Sequence, residues 1–209
     1  MCGVRRGLRP ALAAVIVPLV LLAGCGSDPK APDTAAPAGF KVFKEDKAGF
    51  AVAIPADWVE IPMSDNLSDF NEKANDLRPA NPDLGNAIVL ARVITQAGGK
   101  LFAADRESVS SLNLTVGKAN EKSLDEVLAV IKPALAKNGA TELTDEGVTL
   151  PAGPAIRLRF KQPVTTDGGT ATRNEVQYYL LKDNKTYILT VISDDSALAA
   201  TVAETLRIR

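Results

Sequence analysis

Near residue 139 the spacing of apolar residues changes from helical to alternating, and that change points to a fold that mixes helices and strands. Before it, Leu124, Val127, Leu128, Ile131 and Leu135 recur at helical spacing and give one apolar face. Ser123-Leu124-Asp125-Glu126 is a capping box at the start of the stretch, and Asn138-Gly139 is a terminator at its end. Pro133 inside it is expected to kink or shorten the helix. After the change, Ile156, Leu158 and Phe160 alternate with Arg157, Arg159 and Lys161, the period of a strand with one buried and one wet face. Residues 175–182 and 186–192 are predicted to form a hairpin around Asp183-Asn184-Lys185. Its second strand is apolar on both faces, with Tyr187, Leu189 and Val191 on one and Ile188 and Ile192 on the other. Such a strand belongs at the centre of a sheet with layers on both sides. Asp195 or Ser196 caps a last predicted helix through Leu198, Val202 and Leu206. The expected fold is therefore α+β: an antiparallel β-sheet covered by helices in a layered α/β/α sandwich.

The N-terminal half carries weaker signals of the same kind. Phe40 and Val42 alternate with Lys41, Phe43 and Glu45, the stretch 46–49 reads as a turn, and Phe50–Ile54 is a second strand stopped by Pro55. Asn66 or Ser68 caps a helix over 69–77 that ends at Pro79. From Pro82 to Gly98-Gly99 the spacing of Leu84, Ile88, Ala91 and Ile94 favours a second helix, although Ala87–Ile94 also fits a strand. Lys100–Asp105 and Leu112–Val116 read as strands.

The first residues decide the compartment. Arg5, Arg6 and Arg9 precede an apolar run from Pro10 to Ala23, too short for a membrane span and built like a signal peptide. Leu22-Ala23-Gly24-Cys25 then resembles a bacterial lipobox, at which a cysteine is lipidated and the chain cleaved before it. A lone thiol in an oxidising compartment otherwise has no partner, since the one other cysteine, Cys2, lies in the leader. This divides the chain into a leader (1–24), a lipidated Cys25 with a disordered tether (25–39), and one folded domain (40–209). The tether GSDPKAPDTAAPAG is too poor in apolar residues to order itself. The diacylated Cys25 implies a location on the extracytoplasmic face of the cell membrane, with that membrane as first partner.

Within the domain, the stretch Gly49-Phe50 to Pro55 to Trp58, read as GFAVAIPADW after a short hairpin, resembles the opening of Mog1/PsbP-like domains. Together with the lipobox and tether it is most similar to the actinobacterial lipoproteins of the LpqN type. The resemblance implies the layered fold and an accessory role beside an envelope protein or glycolipid. It implies no chemistry, and no cofactor.

Composition agrees in what it excludes. With no histidine there is no imidazole base and no His-ligated zinc. A net charge of -1 for the whole chain, more acidic once the three leader arginines are gone, argues against a nucleic-acid partner. Ser27-Asp28-Pro29-Lys30 has the Ser-x-x-Lys spacing of some acyl-enzymes but lies in the tether, where no rigid pocket can form. The acid pairs Glu45-Asp46, Asp145-Glu146 and Asp194-Asp195 are sequence neighbours at turns, whereas carboxylate catalysis needs two groups facing across a cleft. A cell-wall or lipid hydrolase or transferase using carboxylates is the alternative that such a cleft would support. Trp58 is expected in the core rather than stacked on a ligand. Arg157, Arg159 and Lys161 on one strand face are candidates for a binding surface, with Tyr178 and Tyr187. Tyr178, Leu180, Tyr187 and Leu189 would line a space for an acyl chain unless the helices at 123–137 and 196–206 fill it.

Overall fold

The computed structural model describes residues 30–108, 110–166 and 169–209; Cys25, the leader and the first part of the tether lie outside them. In chain order the elements are β1 (Phe40–Glu45), β2 (Phe50–Pro55), β3 (Val59–Glu60), α1 (Leu67–Leu77), α2 (Gly85–Gln96), β4 (Gly99–Ala104) and β5 (Ser111–Lys118). There follow α3 (Leu124–Lys137), β6 (Thr141–Leu150), β7 (Gly153–Thr166), β8 (Gly169–Lys182), β9 (Lys185–Ile192), α4 (Leu198–Thr205) and β10 (Arg207–Ile208). Seven strands form an antiparallel sheet in the order β3-β4-β5-β9-β8-β7-β6, and β1-β2-β10 form a smaller one. The doubly apolar strand β9 is the middle strand of the large sheet.

The two faces of that sheet are covered differently. On one, Leu101, Leu112, Leu114, Tyr178, Leu180, Leu189 and Val191 pack against Phe50, Val52 and Ile54 of β2, Trp58, and Val202 and Leu206 around α4. On the other, Phe102 and Ala104 meet Phe70 and Ala74 of α1 and Ile88 and Ala91 of α2. Further along that second face, Ile156, Leu158, Phe160 and Tyr179 meet Val127 of α3. The fold is an α+β sandwich, with the small sheet sharing one outer layer with α4.

Local chemistry accounts for the element ends. Asn66 caps α1 by accepting from the Asp69 N–H at 2.8 Å. Ser123 Oγ accepts from the Glu126 N–H at 3.2 Å, and Glu126 reaches back to the N–H of Lys122 at 2.8 Å, one residue beyond the usual capping box. Asp183 and Asn184 both have positive φ, a two-residue turn that sets Lys182 directly opposite Lys185.

Several expectations are corrected. The stretch 87–94 is helical, as the spacing favoured, and it is the strand alternative that falls: its apolar residues extend over the twelve residues of α2, long for a strand. Pro133 lies inside α3, which continues through it as one helix because the position is exposed and the lost bond is left to solvent. Asp195 Oδ1 accepts from the Ala197 N–H at 2.8 Å, but α4 starts at Leu198 with no side-chain cap. In β1 both Phe40 and Phe43 pack on the core, Phe43 stacked on Phe50 with ring centroids 5.9 Å apart, while Val42 points outward. β6 has no counterpart in the sequence reading, because its mostly exposed residues carry no apolar alternation.

The described part of the tether, 30–39, is not free. The Ala31 N–H donates to Asp46 Oδ1 at 2.7 Å, Thr34 Oγ1 to the Thr205 carbonyl at 2.6 Å, and Arg209 Nη1 to the Lys30 carbonyl at 3.0 Å. Lys44 Nζ pairs with Asp33 at 2.6 Å. The segment lacks aromatic and branched aliphatic side chains but not polar partners, and these contacts tie residues 30–34 to the domain.

Candidate functional site

Strand ends and turns gather at one tip of the molecule and leave a groove of about 1060 Å³ between them. Its walls are the β1–β2 turn (Glu45, Lys47, Ala48), the β3–α1 loop (Ile61 to Asn66), and the start of α1 (Asp69, Lys73). The start of β4, the end of β5 and the β8–β9 turn complete it, and Leu101, Phe102 and Val116 supply apolar floor.

Three of the groove acids are engaged by cations. Glu60 meets Lys41 at 3.1 Å, Asp65 meets Lys100, and Asp69 meets Lys73 at 2.9 Å and the Ser64 hydroxyl. The Lys100 hydrogen bond and charge hold the Asp65 carboxyl below the usual range; Ser64, then Lys73, do the same for Asp69. These groups stay ionised at neutral pH, the reverse of what a carboxylic acid donating a proton requires. Three groove lysines, Lys47, Lys118 and Lys185, form no ion pair among the described residues.

The residues singled out from the sequence fall elsewhere. Tyr178 and Tyr187 are each 2% exposed, under β2 and α4, and form no surface. The acyl-chain space between them is filled, by β2 and α4; α3, the helix expected there at 123–137 and found at Leu124–Lys137, packs on the opposite face. Arg157 pairs with Glu146, Lys161 pairs with Glu142 at 2.7 Å, and Arg159 is exposed beside a smaller cleft of about 480 Å³. The stripe is thus largely neutralised by β6, the strand missing from the sequence reading. Trp58 is 6% exposed within the main core. Glu175, half-buried, has its carboxyl pushed up by burial, an effect Gln177 partly offsets by donating to it at 2.6 Å. The Tyr179 hydroxyl donates in turn to Gln177, and burial, then the Glu175 charge, raise that phenol. Among the described residues no cluster of three or more Cys, Asp or Glu is placed to hold a metal, and no helix is long and apolar enough to cross a membrane.

The groove lysines escaped sequence reasoning. Lys118, Lys182 and Lys185 become neighbours only when β5, β9 and β8 are aligned, and the available signal was the lysine on each side of the Asp183-Asn184 turn.

No family profile matches the chain, and neither does any curated protein sequence. Among solved structures, the chain is similar to the solution structure of cyanobacterial PsbP (CyanoP) from Synechocystis sp. PCC 6803. The TM-score is 0.48 at 14% identity, covering 92% of this chain and 100% of that one. It is also similar to LpqN of Mycobacterium tuberculosis, described as involved in cell envelope biogenesis, with a TM-score of 0.44 at 13% identity over 84% and 89%. A third similar structure, from Bacteroides thetaiotaomicron VPI-5482, has a TM-score of 0.46 at 14% identity over 82% of this chain. The chain spans about half of that protein (49%).

Proposed function

We propose that this protein is a non-catalytic lipoprotein of the cell envelope, held to the membrane through Cys25, and that it binds an envelope protein or lipid in the groove at its tip. The observation that carries this reading is the groove itself. It is the size of a ligand site, and Asp65 and Asp69 in its wall are held ionised by Lys100 and by Ser64 and Lys73 rather than poised for proton transfer. The leader and lipobox support the anchor, and the accessory role implied by the GFAVAIPADW resemblance supports a binding module. A hydrolase using carboxylates is disfavoured, because Glu175, the carboxyl pushed upward, has an amide, Gln177, as its hydrogen-bond partner.

Photocrosslinking in cells tests the groove. A crosslinker at Asn184 should trap one defined protein or lipid, and Asp65→Lys, which reverses charge in the groove wall, should abolish the product. The same product from a crosslinker at Glu72, which does not line the groove, would overturn the site.

A further inference from the structure

Lys118, Lys185 and Lys182 occupy directly opposed positions on the adjacent strands β5, β9 and β8. Like charges placed so repel and destabilise a sheet, and here no carboxylate pairs with any of the three among the described residues. Lys182 donates to the Ile208 carbonyl at 2.7 Å, while Lys118 is exposed and Lys185 half-buried at the groove. Lys47 on the β1–β2 turn lines the same groove. Of the acids at this tip, Glu60, Asp65 and Asp69 are taken up by Lys41, Lys100 and Lys73, although Asp65 also feels the Lys47 charge. Glu45 and Asp46 accept from the backbone N–H groups of Lys47 and Ala31, and Asp183 stands in the β8–β9 turn. The chain also arrives at this tip, since Asp46 and Arg209 bind the backbone of Ala31 and Lys30. From Lys30 back to Cys25 the backbone can reach about 17 Å at full extension.

We infer that this lysine-bearing tip docks on anionic phospholipid headgroups, with the mouth of the groove turned to the membrane surface. The inference rests on the anchor reading for its geometry: a lipid on Cys25 brings this tip, and not the opposite end of the sheet, to the bilayer. The headgroups then supply the negative charge that no carboxylate on this end of the three strands provides. A groove opening there would receive its ligand from the membrane plane rather than from bulk water.

The test omits the anchor, so that failure of the Cys25 reading and failure of the docking surface are separate results. Residues 30–209 contain every described element and all three cores, so that stretch folds as a unit. It should sediment with phosphatidylcholine vesicles containing phosphatidylglycerol, not with phosphatidylcholine alone, and high salt should release it. At roughly fivefold per lysine, the Lys47→Gln/Lys118→Gln/Lys185→Gln variant should lose about two orders of magnitude in partitioning. Its melting temperature should stay level or rise, because the opposed Lys118 and Lys185 no longer repel. Equal binding to neutral vesicles, or undiminished binding by the triple variant, would overturn the inference. Displacement by inorganic phosphate at an ionic strength where chloride has no effect would also overturn it, marking a single phosphate site instead of a surface.

Discussion

Trp58 and Glu175 show how much single side chains decide here. Trp58 closes the main core, and its carbonyl accepts from Lys41 Nζ at 3.0 Å. Trp58→Ala should cost about 3–5 kcal/mol in a denaturant titration; an unchanged midpoint would mean that the ring is not buried. Glu175 acts through pH. Its carboxyl is pushed up by burial from an ordinary value of 4.5, so the folded state holds its proton longer than the unfolded chain does. Stability from this group is complete in acid, below that value, and is lost as pH rises through the raised one. Glu175→Gln cannot ionise. The gap in melting temperature between variant and wild type should be small in acid and widen in the variant's favour toward neutral pH, and a gap independent of pH would contradict the assignment. Both residues were legible unequally. Trp58 announced itself through the hairpin before it, whereas Glu175 looks in sequence like any acid at a strand start.

At the scale of elements, the readable ones were those whose own side chains specify them. α3 has its capping box and Gly139 at φ 88 as terminator, and the β8–β9 hairpin has its turn pair. β6 was unreadable because pairing with β7, not its own pattern, makes it a strand. Its absence from the reading also hid Glu142 and Glu146, which turn the Arg157–Lys161 stripe from a binding surface into ion pairs. The tether misled in the opposite way: its composition forbids a core but not docking by backbone hydrogen bonds. Deleting residues 30–39 should therefore lower the melting temperature, because the bonds of Ala31, Asp33 and Thr34 to Asp46, Lys44 and Thr205 go with it. Hydrogen exchange would check this, with faster exchange at the Ala53 amide, which donates to Thr205 Oγ1 at 2.8 Å. α3 should exchange faster than α1 and α2, since Val127 is its one buried residue, against Phe70 and Ala74 in α1 and Ile88, Ala91 and Thr95 in α2.

For the molecule as a whole, the sequence set the layers and the central strand correctly but not the groove, whose walls come from five separate parts of the chain. The anchor yields a prediction at this scale. Cys25→Ala should leave a precursor of higher mass that keeps its leader, seen by electrophoresis of membrane fractions. A wild-type product found wholly in the aqueous phase of a detergent partition would end the lipoprotein reading. The edges of the large sheet bear on life at a surface. One edge, β3, is two residues long, and the other, β6, is interrupted where the register shifts between Thr141 and Thr144, with Glu142 at φ 54. Copies confined to a plane meet far more often than copies diluted in a volume, and a long straight edge there would invite strand-to-strand stacking into filaments. For a chain anchored through Cys25, a stub on one side and a register-shifted, acid-bearing strand on the other would let many neighbours crowd one leaflet and remain separate molecules.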